Sequence, residues 1–137
     1  MSFQNAMKAV YAVVDSGNYP VSVGIRPATQ ATPCIVFEVQ NAELTVMHLF
    51  PTTLANRKEL WTLTVEIACV ADTVDSVATM VDDLFTLLTA NPPQTANTFR
   101  VLLTGFSVSM TTETPDDGQS DAERIGTISA TLQLSET

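Results

Sequence analysis

Apolar residues recur along the chain with two different periods, and the changes of period mark out its elements. Phe3, Met7, Val10, Tyr11 and Val14 fall three and four apart, a spacing that puts all five on one face of a helix. Ser2 suits the N-cap, because its hydroxyl can accept from free N–H groups of the first turn, and Asp15-Ser16-Gly17-Asn18 ends the helix. A short strand around Val21 to Ile25 follows. Pro27 to Pro33 reads as a loop, since proline donates no ladder hydrogen bond. From Cys34 to Gln40 the period becomes two, with Ile35, Phe37 and Val39 alternating with Cys34, Val36, Glu38 and Gln40. A further run from Glu43 to Leu49 predicts a second strand, joined to the first near Asn41.

Residues 50–57 read as a connection, and Leu60 to Val70 then gives the clearest strand. Trp61, Leu63, Val65, Ile67 and Cys69 share one side, and Thr62, Thr64, Glu66 and Ala68 share the other. Asp72 or Thr73 caps the next element, a helix whose broad apolar stripe is Val74, Val77, Ala78, Val81, Leu84, Phe85 and Leu88. It stops before Asn91-Pro92-Pro93, because the residue ahead of a proline avoids helical angles. Two final strands, about Phe99 to Met110 and Arg124 to Leu134, flank a polar linker. The order helix, strands, helix, strands, with adjacent strands joined without crossover helices, predicts α+β: a mostly antiparallel β-sheet with two α-helices packed on one face.

Length and composition narrow the classes. At 137 residues the chain suits a single domain spanning 1–137 with one core. Hydrophobic residues make up 45% and charged ones 15%, which excludes a disordered chain. The formal charge is −9, and the six basic residues (Lys8, Arg26, Arg57, Lys58, Arg100 and Arg124) are scattered, so a grip on a phosphate backbone is not expected. No apolar run reaches the ~18–20 residues of a membrane span, and Met1-Ser2-Phe3-Gln4-Asn5 lacks the basic start of a secretory signal. The expectation is a cytosolic chain with no membrane contact. In that compartment Cys34 and Cys69, both in apolar runs, read as buried thiols and not as a disulfide.

Chemistry is sparse. Nucleophile elbow, Walker loop, dinucleotide glycine fingerprint and His/Cys metal cluster are all missing from the sequence, so no catalytic, cofactor-binding or metal-ligating residues are assigned. His48, the single histidine, sits in a strand run, where such a residue is ordinarily structural. Asp82 and Asp83 are neighbours in a helix, point about 100° apart and do not converge on a substrate. Glu113, Asp116, Asp117, Asp121 and Glu123 crowd the last linker without the ligand spacing of a calcium loop, leaving a solvated hairpin tip or a partner-binding loop. Trp61, in register with Leu63 and Val65, reads as core. Thr fills 20 positions, many on the polar sides of strands, a surface suited to lateral packing between subunits.

The order of these elements resembles a known family. A leading amphipathic helix, "TPCIVFEVQN" (Thr32 to Asn41), the strand "LWTLTVEIAC" (Leu60 to Cys69), the helix "TVDSVATMVDDLFTLL" (Thr73 to Leu88) and a closing strand–acidic loop–strand resemble the tail terminator, or tail completion, family of long-tailed bacteriophages. The likeness spans nearly the whole chain and is carried by element type and length. It implies a structural virion protein, not an enzyme, assembled in the host cytoplasm into a homo-hexameric ring at the head-proximal end of the tail. Such a ring ends tail-tube polymerisation and joins the tube protein to the head–tail connector or adaptor. DNA passes through its centre without specific binding, and no cofactor is involved.

Six copies at −9 each would carry a formal −54, and an acidic lumen repels a passing duplex, which lets it slide. Glu113, Asp116, Asp117, Asp121 and Glu123 are the candidates to face the lumen or a partner. A soluble subunit that assembles also needs a docking surface. Phe50, Leu54 and Arg57, in an otherwise polar connection, are the candidate interface loop, the alternative being that Phe50 and Leu54 fold onto the core. Three other readings compete: a head-closure or adaptor protein of the same neck, a small-molecule-binding domain using the sheet face opposite the helices, and an enzyme using His48 with Glu38 or Glu66.

Overall fold

The computed structural model describes residues 3–26, 31–48, 57–89, 94–96, 99–113 and 123–136. In chain order these form α1 (Phe3–Asp15), β1 (Val21–Val23), β2 (Cys34–His48), β3 (Arg57–Ala71), α2 (Val74–Leu88), β4 (Gln94–Ala96), β5 (Phe99–Glu113) and β6 (Glu123–Glu136). One six-stranded sheet runs in the order β1-β2-β3-β6-β5-β4. Only the short β1 is parallel to its neighbour, and every other pairing is antiparallel. This is the α+β arrangement expected from the alternating patterns. β4 was not legible, because three residues after two prolines carry no alternation.

Both helices lie on one face. Tyr11 of α1 meets Phe37 edge-on at 6.0 Å and Phe3 reaches Trp61 at 6.0 Å. On α2, Phe85 meets Phe106 of β5 edge-on at 5.1 Å. The sheet residues beneath are the inward members of each alternation: Phe37, Ile67 and Ile128 occupy one cross-strand row, and Leu63 and Leu132 another. All five are buried. Burial of this apolar row against two amphipathic helices is the main favourable contribution to folding.

The two helices seat differently from a plain reading of their stripes. α1 buries Ala6, Ala9, Val10, Val13 and Val14, while Met7 and Tyr11 are only partly covered. The two alanines let the helix backbone approach the sheet, so the buried face is rotated toward them and away from Phe3. α2 buries Val77, Met80, Leu84 and Leu88 and leaves Val74 and Phe85 substantially exposed. Its start follows capping chemistry: Thr73 has extended backbone angles, and its Oγ1 accepts from the Ser76 N–H at 3.1 Å. Gly126 of β6 lies directly under this helix, where a Cβ would stand 2.6 Å from Cγ1 of Val77.

β2 corrects the sequence reading. Instead of two strands joined near Asn41, residues 34–48 form one strand that pairs with β3 throughout, and the register slips between Val39 and Asn41. Gln40 is the extra residue of a β-bulge. Ile35, Phe37 and Val39 face the helices before it, and Ala42 and Leu44 face them after it, so a bulge imitates a strand break in the alternation. β5 repeats the device. Its slip falls between Leu103 and Gly105, and Thr104, the extra residue, donates its hydroxyl to the Thr131 carbonyl at 3.1 Å.

The two long hairpins point in opposite directions. β2–β3 turns beyond the His48–Arg57 pair, at the end of the sheet where Leu60 meets Ser135. β5–β6 turns beyond the Glu113–Glu123 pair, at the end where Ala71 meets Arg124.

Candidate assembly surfaces

The face of the sheet away from the helices is polar over its middle, whereas Cys34 and Val70, on the same face toward the Ala71–Arg124 end, are buried. Thr62, Thr64 and Glu66 of β3 pair across to Gln133, Thr131 and Ser129 of β6, all half-buried or exposed. Glu38 and Glu43 of β2 stand on the same face, Glu38 directly opposite Glu66. Glutamates therefore mark this face along β2 and β3, and Arg100 of β5 stands on it as well. The sequence placed the acidic surface on the last linker only. The sheet carries a second one, visible in hindsight as the outward members of two alternations.

The outer edges are the second surface. β1 pairs with β2 only at Ile35–Phe37, and β4 pairs with β5 only at Phe99–Val101. Among the described residues, β2 from Glu38 to His48 and β5 from Leu102 to Glu113 have no strand on their outer sides. Outward backbone N–H and C=O groups there present a template for another strand.

The expected site residues fare unequally. Phe50 and Leu54 lie outside the described residues, as do Asp116, Asp117 and Asp121. Arg57 is not loop but the first residue of β3, paired with His48. Glu113 ends β5 opposite Glu123. Glu123 is held inside the fold: Nη1 of Arg26 donates to its Oε2 at 2.7 Å, with both side chains about one-third exposed or less. That ion pair ties the segment after β1 to the start of β6, a structural tether for a residue expected to face a lumen or partner.

The geometry also bears on the competing chemistry. Glu38 pairs with Glu66, and His48 pairs with Arg57 nine registers further along the same ladder, about 30 Å away at ~3.3 Å per residue. His48 and either glutamate do not share a site. Among the described residues no three His, Cys, Asp or Glu side chains group as metal ligands. Concavities of about 260 Å³ (around Tyr19, Pro33 and Met80), 240 Å³ (around Gly17, Asp83 and Leu87) and 150 Å³ (around Tyr11, Val23 and Phe37) flank the helices and not the open sheet face. The first two are bridged by Tyr19, whose hydroxyl donates to Oδ2 of Asp83 at 2.7 Å. That hydrogen bond, with some burial, raises the phenol above its ordinary pKa. Cys34 and Cys69 are both free and buried, and burial pushes the Cys69 thiol up to about 12.

The chain matches neither the sequence profiles of known protein families nor any curated protein sequence.

Proposed function

We propose that this chain is a structural subunit of a long-tailed phage virion, forming a homo-hexameric ring at the head-proximal end of the tail. The ring ends growth of the tail tube and offers its other rim to the head–tail connector. The observation that carries the reading is a sheet with both helices on one face and, among the described residues, a long unpaired edge on either side. A subunit of this shape can join identical neighbours at both sides, and a heterologous contact that closes on itself makes a ring. When such a sheet curves, the bulky helical layer belongs outside and the uncovered face inside. Glu38, Glu43 and Glu66 then line the lumen, and their charge repels the duplex that slides past.

The test uses the tail tube protein. Added to polymerising tubes, the chain stops elongation, and capped tubes carry a ring at one end. Particles lacking the chain build tails of irregular length that fail to join heads. Tubes that elongate unchanged at saturating chain, together with normal tails in its absence, refute the proposal.

A further inference from the structure

We propose that the outer edge of β5, Leu102 to Thr111, receives the outer edge of β2, Glu38 to His48, from a second copy of this chain, so that the sheet continues antiparallel across the subunit boundary. The inference rests on the ring reading and names the surfaces that close it.

Edge strands in folded proteins are normally defended by charge, proline or brevity. β5 has none of these three, and the bulge at Thr104 interrupts only the start of the stretch, leaving Gly105 to Thr111 regular. From Leu102 to Thr111 it holds no charged residue and no proline, and Leu102, Val108 and Met110 are 48%, 41% and 46% exposed. Val108 and Met110 pair with Ile128 and Gly126 on the helical side of the sheet, so an apolar row runs uncovered along this edge. On β2, Val39, Ala42 and Leu44 form the matching row, and Leu44 is 38% exposed. A β5 strand laid beside β2 places the two rows in contact.

Charge selects the pairing. Two β2 edges together would oppose Glu38 and Glu43 with their own copies, which is unfavourable. β5 has no acid between Phe99 and Thr112, and Arg100 lies at its base. Pairing β5 with β5 would leave the β2 edge bare and end in a dimer. Direction agrees as well: three successive antiparallel pairings make β2 and β5 antiparallel within one subunit. A copy related by rotation about an axis along the strands therefore brings β5 antiparallel to β2. The free stretches sit toward opposite ends of the sheet, so each junction is staggered, and stagger tilts strands as barrel closure requires.

Glu43 and Ser107 both stand on the open face and fall opposite each other in this pairing. Glu43→Cys protein and Ser107→Cys protein are mixed under mild oxidation, alone and with tail tube protein, while the mass of the unmodified chain is followed by light scattering. The expected result is a disulfide that needs both variants. Ser107→Glu weakens association by roughly tenfold, because it meets the acidic β2 edge, whereas Ser107→Lys does not. Both variants keep the parent's melting temperature within a few degrees. A ring whose crosslinks form only between like variants, or not at all, overturns the edge pairing and leaves the ring reading standing. A chain that stays monomeric and leaves tubes uncapped overturns both.

Discussion

Gly126 is the tightest point between α2 and the sheet, and replacing it with alanine tests the packing directly. The added Cβ stands 2.6 Å from Cγ1 of Val77, 3.2 Å from Sδ of Met110 and 3.5 Å from Cγ2 of Val81. Carbon atoms sit about 3.5–4.0 Å apart at their optimum, so the helix has to lift by roughly 1 Å. Met110 can swing aside, being at the sheet edge, but Val77 is fully buried and β-branched, with little rotamer freedom. Overpacking of this kind costs about 1–3 kcal/mol. Alanine recovers about 0.4–1 kcal/mol by restricting the unfolded chain, so the net loss is about 1–2 kcal/mol. An unfolding entropy of about 2.1 cal/mol/K per residue over 137 residues converts each kcal/mol to about 3.5 °C, and Gly126→Ala lowers Tm by about 3–7 °C. Differential scanning calorimetry reads this. Adding Val77→Ala makes the pair less costly than the sum of the singles by at least about 0.5 kcal/mol. A Gly126→Ala protein as stable as the parent, or costs that simply add, refutes the close approach.

The bulge predicts an asymmetry between two deletions: removing Gln40 restores plain alternation and leaves the chain folded, whereas removing Thr64 from the unbulged β3 turns half of that strand inside out and abolishes cooperative unfolding by circular dichroism. Thr73→Ala removes the α2 cap and costs about 1 kcal/mol in urea titration, and Thr73→Asp retains most of it; equal losses for both refute the cap. The raised Tyr19 phenol stabilises the fold below its ordinary pKa, and that contribution is lost as pH rises through the raised value. In a Tyr11→Phe background, Asp83→Asn therefore lowers the pH at which tyrosinate absorbance appears; an unchanged titration counts against the hydrogen bond. At about pH 8 a thiol reagent labels Cys69 only after unfolding, and rapid labelling of the native chain contradicts its burial.

Strands and helices were legible wherever a run of apolar residues keeps to one face. β3 is the clearest case, because Leu63, Val65, Ile67 and Cys69 are buried and Thr62, Thr64 and Glu66 are not. The α2 cap was legible to within one residue, Asp72 or Thr73, because its chemistry is local, and the structure places it on Thr73. What escaped was set by tertiary contact. The seating of α1 on Ala6 and Ala9 depends on how closely backbone meets sheet, and alanine carries little hydrophobic signal. On α2 the buried line is Val77, Met80, Leu84 and Leu88, a helical spacing that includes Met80, which the broader stripe of Val74, Ala78, Val81 and Phe85 obscured. The bulge at Gln40 looks like a strand break until a partner ladder shows that pairing continues, and the one at Thr104 left no mark in the alternation at all. The open sheet edges were hidden for a similar reason: an edge is defined by where β1 and β4 stop, and no residue announces that.

The opposed hairpins make the subunit a vector. In a ring whose axis runs along the strands every β2–β3 turn emerges on one rim and every β5–β6 turn on the other, so its two ends differ in chemistry however many copies compose it. The His48–Arg57 pair marks one side, and the Glu113–Glu123 pair marks the other. Such an annulus mounts on a filament in a single orientation, and its orientation is written into strand order before any neighbour is met.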